Sequence, residues 1–133
     1  MQGRGNRRPA GRATGRRTTK QLKGMAAEEA AANFLRARGL EILERNYLRR
    51  LGELDIVARD PNGVLVIAEV RARASERFGG AAASVDFHKQ RRLVRAASQL
   101  LQHRPELARM PVRFDVICVR GDDIQWIRQA FLT

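Results

Sequence analysis

Two carboxylates occupy positions where a buried strand is normally apolar. In "GELDIVARDPNGVLVIAEVRAR", residues 52–73, Asp55 interrupts Leu54, Ile56 and Val57, and Glu69 interrupts the apolar run from Val64 to Val70. Burying an unpaired carboxylate is costly, so such residues are partnered, shifted in pKa or bound to a metal. The stretch Asp60-Pro61-Asn62-Gly63 is a turn signal that makes its flanks a hairpin. Side chains alternate along a strand, so Glu53, Asp55 and Val57 share a face of the first arm. Leu65, Ile67, Glu69 and Arg71 share a face of the second. The register that sets Asp55 opposite Glu69 also sets Glu53 opposite Arg71, and a one-residue slip would undo both.

Two chemistries fit that pattern. Carboxylates that close repel, so a cation belongs between them or one of them is protonated. Hard oxygen ligands suit Mg²⁺ or Mn²⁺, and such an ion polarises phosphate and activates water for phosphodiester hydrolysis. The alternative is a cross-strand ion network in which Arg45, Arg71 or Arg73 neutralises the two acids.

The elements that must position these residues read as follows. Helix formers dominate from Gly24 to Arg38, with Met25, Glu28, Ala31, Ala32 and Leu35 on one stripe and Glu29, Asn33 and Arg36 on another. Glu28 thus faces inward, and Gly39 ends the helix. Extended segments are predicted at Glu41–Leu48, Leu51–Arg59 and Val64–Arg73. A Gly/Ala loop, "FGGAAAS", leads to Asp86 as helix N-cap and to a second helix over residues 87–103. Gln90, Leu93, Val94, Ala97, Leu100 and Leu101 form its inner face, while Lys89, Arg91, Arg92 and Arg95 crowd its start and other sides. A strand at Val112–Val119 and a short segment at Ile124–Arg128 complete the chain. An antiparallel meander joined by a helical crossover to a further strand predicts an α/β domain with a mixed sheet.

Composition limits the function classes. The 133 residues suffice for one domain and carry a formal net charge of +12. Residues 1–20 hold seven of the basic residues and no acidic one, and read as a disordered basic tail ahead of a single domain over 21–133. The domain stays basic without the tail, which points to a polyanion such as nucleic acid as partner. No stretch approaches the apolar length of a membrane span, and the arginine-rich start lacks the apolar core of a secretory signal. Cys118, the lone cysteine, lies in an apolar run and reads as a buried thiol, so the expected compartment is the cytoplasm. His88 and His103 stand alone, without the clustering that zinc needs. Tyr47 and Trp126 read as core-edge residues, not base-stacking ones.

"GELD", a hairpin and then "EVRAR" resemble the G-E-[IL]-D … E-V-K-x-R signature of the YraN-type family of small bacterial proteins. "GMAAEEAAANFLRARGLEILERNY", "FGGAAASVDFHKQRRLVRAA", "RFDV" and "QAF" are similar, in order, to its remaining segments. That family resembles Holliday-junction resolvases within the restriction-endonuclease-like PD-(D/E)xK superfamily. The resemblance implies an αβββαβ core, agreeing with the order read above. It implies that Asp55, Glu69 and Glu28 hold Mg²⁺ or Mn²⁺, that Gln90 lies near the scissile phosphate, and that Lys89, Arg91, Arg92 and Arg73 contact DNA. Junction-cleaving relatives work as dimers, so a homodimer acting on branched DNA is a further implication. Glu53 matches the signature too, though an exposed strand end explains it nearly as well.

One departure matters. Arg71 stands where the superfamily motif ends in lysine, and a guanidinium stabilises charge but makes a poor base. The readings are therefore a metal-dependent DNA endonuclease-like enzyme, a DNA-binding module that retains the fold without efficient turnover, and, third, an adaptor whose basic tail engages RNA or a partner.

Overall fold

The structure is a computed structural model that describes residues 18–47, 53–72 and 85–131. Its elements are α1 (Thr19–Ala37), β1 (Glu41–Tyr47), β2 (Leu54–Arg59), β3 (Leu65–Ala72), α2 (Phe87–His103), a 3₁₀ turn (Pro105–Leu107), β4 (Val112–Arg120) and β5 (Asp123–Phe131). The strands form one sheet in the order β1-β2-β3-β4-β5. Pairing is antiparallel except between β3 and β4, which α2 joins as a crossover. This is the predicted α/β architecture, a five-stranded mixed sheet flanked by two helices, consistent with the restriction-endonuclease-like fold.

Alternation along the strands divides the core in two. Ile56, Ala58, Val66, Ala68, Ile117 and Val119 pack with Ala27, Ala31, Ala32 and Leu35 of α1. Val57, Leu65, Ile67, Phe114, Val116 and Cys118 pack with Leu93, Ala96, Ala97 and Leu100 of α2. The central strand β3 serves both layers, which is why it reads as a nearly continuous apolar run. Strict alternation fails at the start of β2: Leu54 joins the same cluster as Val57, so the chain is irregular around Asp55.

The ends of the elements follow local chemistry. Helix α1 closes in a Schellman arrangement, with Leu40 N–H donating to the Leu35 carbonyl and Gly39 N–H to that of Arg36. Gly39 takes the left-handed φ of +89° that this requires. In the β2–β3 turn, Asp60 Oδ1 accepts from the N–H groups of Asn62 and Val64, and Gly63 has φ +85°. Helix α2 starts at the predicted cap, where Asp86 accepts from Lys89 N–H at 2.8 Å.

The structure differs from the sequence reading in several details. Helix α1 begins at Thr19, so Thr19 and Lys20, read as tail, are helical; residues 1–17 lie outside the described residues. Met25, placed on the inner stripe, is exposed, because burial on α1 starts only at Ala27. A cleft of about 470 Å³ opens there between α1 and the ends of β3 and β4, where Ala26, Ala27 and Ala30 are too short to fill the gap. The final strand runs to Phe131 instead of Arg128. No described helix is long and apolar enough to cross a membrane.

Candidate metal centre and its basic rim

The hairpin register is the one that sets the two acids together. Ile56 pairs with Ala68 and Val57 with Ile67, and the same register carried one residue further puts Asp55 opposite Glu69. The backbone ladder between β2 and β3 stops at Ile56 and Ala68. Beyond it, the Asp55 carboxylate replaces a backbone acceptor: its Oδ2 takes the Val70 N–H at 2.9 Å. Asp55 is 9 % exposed and Glu69 4 %. Among the described residues Asp55 makes no ion pair; Arg73, one partner of the network reading, lies outside them.

Two more carboxylates reach the same place. One oxygen each from Glu28 of α1, Glu53 just ahead of β2 and Asp55 lie within 4.8 Å of one another. Burial first, and then the negative charge of Glu69, pushes the Asp55 carboxyl up to about 8; the Val70 N–H opposes this. Burial also raises Glu28, with the charge of Glu53 adding to it, while a hydrogen bond from Asn46 and the nearby Arg45 act the other way. Glu53 thus belongs to the cluster and is half-buried, a position the sequence left undecided against an exposed strand end.

Glu69 is held from its other side by two cations. Arg71 Nη2 lies 3.3 Å from Glu69 Oε2, and Lys89 Nζ, from the first turn of α2, lies 3.5 Å from the same oxygen. Its second oxygen, Oε1, is buried and has no hydrogen-bond partner among the described residues. A buried orphan acceptor of this kind is costly unless something else completes its coordination. The three clustered oxygens of Glu28, Glu53 and Asp55 form an all-oxygen donor set that suits a small divalent cation. Of the ligands the motif implies, Glu28 and Asp55 stand in this group with Glu53, and Glu69 does not.

Neighbouring residues steady this arrangement. Arg45 of β1 pairs with Glu29 at 2.8 Å and stands 3.9 Å from Glu28, tying α1 to the sheet beside the cluster. Asn46, which the β1–β2 register places across from Asp55, has φ +56°. Asparagine tolerates that left-handed conformation better than most residues, and here it turns the amide to Glu28. Neither role was visible in the sequence, because nothing in "ERNY" marks a positive φ.

The remaining predicted residues fall as follows. Gln90 is half-buried, and its amide donates to the Val85 carbonyl at 3.0 Å. Arg91 and Arg92 are exposed on α2, whereas Lys89 is half-buried and turned toward Glu69. Arg73 lies outside the described residues. Trp126 and Tyr47 are core-edge residues as expected, the indole N–H bonded to Asp115 and the phenol to His103. Cys118 is buried.

Asp115 is a third acid in an apolar strand, and it serves structure. It is 1 % exposed and accepts from Arg113 Nε and Nη2, from Trp126 Nε1 and from Gln129 N–H, all at 2.8–3.0 Å. Arg113 also reaches Asp60 in the hairpin turn at 3.7 Å. The network joins β4, β5 and the β2–β3 turn, and its carboxylate has no oxygen to spare for a ligand.

A five-stranded mixed sheet with α1 and α2 on opposite faces defines an α/β protein consistent with the restriction-endonuclease-like fold. The chain belongs to the uncharacterised protein family UPF0102, whose model matches residues 27–119. It is 51 % identical to a UPF0102 protein of Ralstonia nicotianae over 112 residues, covering 81 % of this chain and 85 % of the relative. A UPF0102 protein of Paracidovorax citrulli is 47 % identical over 87 % of each chain. One from Pseudomonas syringae is 45 % identical over 86 % of this chain and 97 % of its own.

Proposed function

We propose that this protein binds DNA and hydrolyses its phosphodiester bonds with a divalent metal ion, Mg²⁺ or Mn²⁺. The observation that carries the reading is the convergence of Glu28, Glu53 and Asp55 beside a Glu69 whose Oε1 is buried and, among the described residues, unbonded. A stable fold has no use for three acids gathered at one partly buried point, because their mutual repulsion destabilises it. A divalent ion bound there would offset that repulsion, polarise a phosphate and make water a stronger nucleophile.

The chain's own residues then divide the work. Glu28, Glu53, Asp55 and Glu69 supply oxygen ligands. Arg71 and Lys89, both at Glu69 Oε2, place positive charge where a phosphate would bear its developing negative charge. Arg71 remains a guanidinium and cannot serve as a base. Lys89 brings an ammonium to the same oxygen from α2, supplying in space the amine that the motif lacks at position 71. The basic body of the domain and the exposed Arg91 and Arg92 supply affinity for the backbone.

A second reading rests on Arg71. With two cations already neutralising Glu69, the site is tolerable without an ion, as expected of a DNA-binding module that has lost turnover. One experiment separates the readings. The protein, Asp55→Ala and Arg71→Lys are incubated with linear, single-stranded and four-way-junction DNA in Mg²⁺ or Mn²⁺. Metal-dependent cleavage that vanishes in Asp55→Ala supports the nuclease. Binding without cleavage, with cleavage gained in Arg71→Lys, supports the module. Absence of both binding and cleavage at low salt rejects both.

A further inference from the structure

Phe87 is out of place for a phenylalanine. It is 64 % exposed, more than any other large apolar side chain among the described residues. It opens α2 immediately after the Asp86 cap and two residues before Lys89, whose ammonium contacts Glu69. The Arg91 guanidinium lies 5.6 Å from the centre of its ring, and the His88 ring stands edge-on at 6.2 Å. The exposed residues of the first half of α2 are Phe87, His88, Arg91, Arg92 and Arg95, and the helix contains no acidic residue. The other exposed apolar residues, Leu22, Met25 and Val112, offer no ring.

An apolar ring left in water with one arginine over it, on a helix that carries two more exposed arginines, has a chemical counterpart. Nucleobases stack on aromatic faces, and arginine both stacks alongside and binds the flanking phosphates. Bases within a duplex are already stacked on each other, and opening a step costs free energy, so a protruding ring stacks most readily on an unpaired base.

We propose that Phe87 is a stacking platform for an unpaired nucleobase, with Arg91 and Arg92 on the adjoining phosphates. The substrate then carries a single-stranded or unpaired element next to the carboxylate centre. This inference rests on the nucleic-acid reading above and narrows it from DNA in general to DNA with bases out of the helix.

The test is binding by fluorescence anisotropy in EDTA, where no cleavage occurs, with the full chain and its Phe87→Ala, Phe87→Leu and Phe87→Tyr variants. The DNAs are single-stranded, gapped duplex and intact duplex of one length, with 2-aminopurine at the unpaired position. Both Ala and Leu variants are expected to bind single-stranded and gapped DNA about tenfold more weakly, with duplex affinity unchanged. Tyr is expected to retain the affinity and the 2-aminopurine quenching. If Phe87→Ala matches the wild type on every DNA that the wild type binds, the platform is overturned while the nucleic-acid reading stands. If the wild type binds no DNA at low salt, both fall. If sedimentation shows a dimer that Phe87→Ala dissociates, the ring belongs to a second copy of the chain and the proposal is overturned.

Discussion

Lys89 Nζ lies 3.5 Å from Glu69 Oε2, joining the first turn of α2 to the central strand of the sheet. The contact spans 20 residues of sequence and places a primary amine at the acid that ends the apolar run of β3.

On the nuclease reading, that amine decides turnover. Lys89→Ala is expected to lower metal-dependent cleavage by about 10²-fold or more, the usual worth of a group that orients or transfers a proton. Arg71→Lys is expected to retain or raise cleavage. Single-turnover assays on labelled DNA check this, with circular dichroism to confirm folding. Equal losses in Arg71→Lys and Lys89→Ala would mean that the guanidinium itself is required.

The shifted carboxyl of Asp55 makes metal-free stability depend on pH. Its folded pKa, about 8, lies above the ordinary 3.8, so the native state holds a proton that the unfolded chain releases. Stability is unaffected by this group below the lower value, falls as pH rises between the two, and stays reduced above the higher one. In EDTA the wild type is expected to lose stability between about pH 5 and about pH 9, by on the order of a few kcal/mol from this group. Asp55→Asn should flatten that loss and be the more stable protein at the alkaline end. Urea unfolding across the range measures both.

Metal binding should run against the same proton. Calorimetric titration with Mn²⁺ is expected to release protons near neutral pH, seen as an enthalpy that varies with buffer, because the ion takes the carboxylate form. Glu53→Gln and Glu28→Gln should each weaken binding about tenfold or more, as loss of a ligating oxygen does. Binding that ignores Glu53→Gln would remove this residue from the ligand set.

Asp115→Ala is the structural counterpart. It removes four hydrogen bonds from a buried carboxylate and leaves Arg113 with only the longer contact to Asp60 among the described residues. The expected loss is about 3–5 kcal/mol, the cost of breaking a buried charge pair. Tryptophan fluorescence from Trp126 should change with it, while Mn²⁺ affinity per folded molecule should not.

Much of this was readable in the residues, for physical reasons. Helix α2 was bounded correctly because Asp86 is a strong cap and the inner-face spacing is regular. The hairpin was legible because the turn residues mark where the chain reverses, while its register, open to a one-residue slip in the sequence, is set by the structure. The three acids that interrupt apolar strands, Asp55, Glu69 and Asp115, send the same signal in sequence. What separates them is who comes to meet them, and those partners lie far along the chain. Trp126 and Gln129 satisfy Asp115, whereas Glu28 and Glu53 gather at Asp55. Asn46 was missed because a left-handed asparagine has no local spelling, and Phe87 because a helix start beside basic residues gave no hint of its exposure.

The bond from Gln129 N–H to Asp115 also shapes how the molecule meets its own kind. β5 is an outer strand of the sheet, and at Gln129 its backbone turns to φ +50° and sends the amide inward. An outer strand with evenly presented amides invites a second chain to extend the sheet. This one is broken as a template by a carboxylate from its neighbour, so uncontrolled growth along that border is discouraged by a residue whose first duty is to hold two strands together.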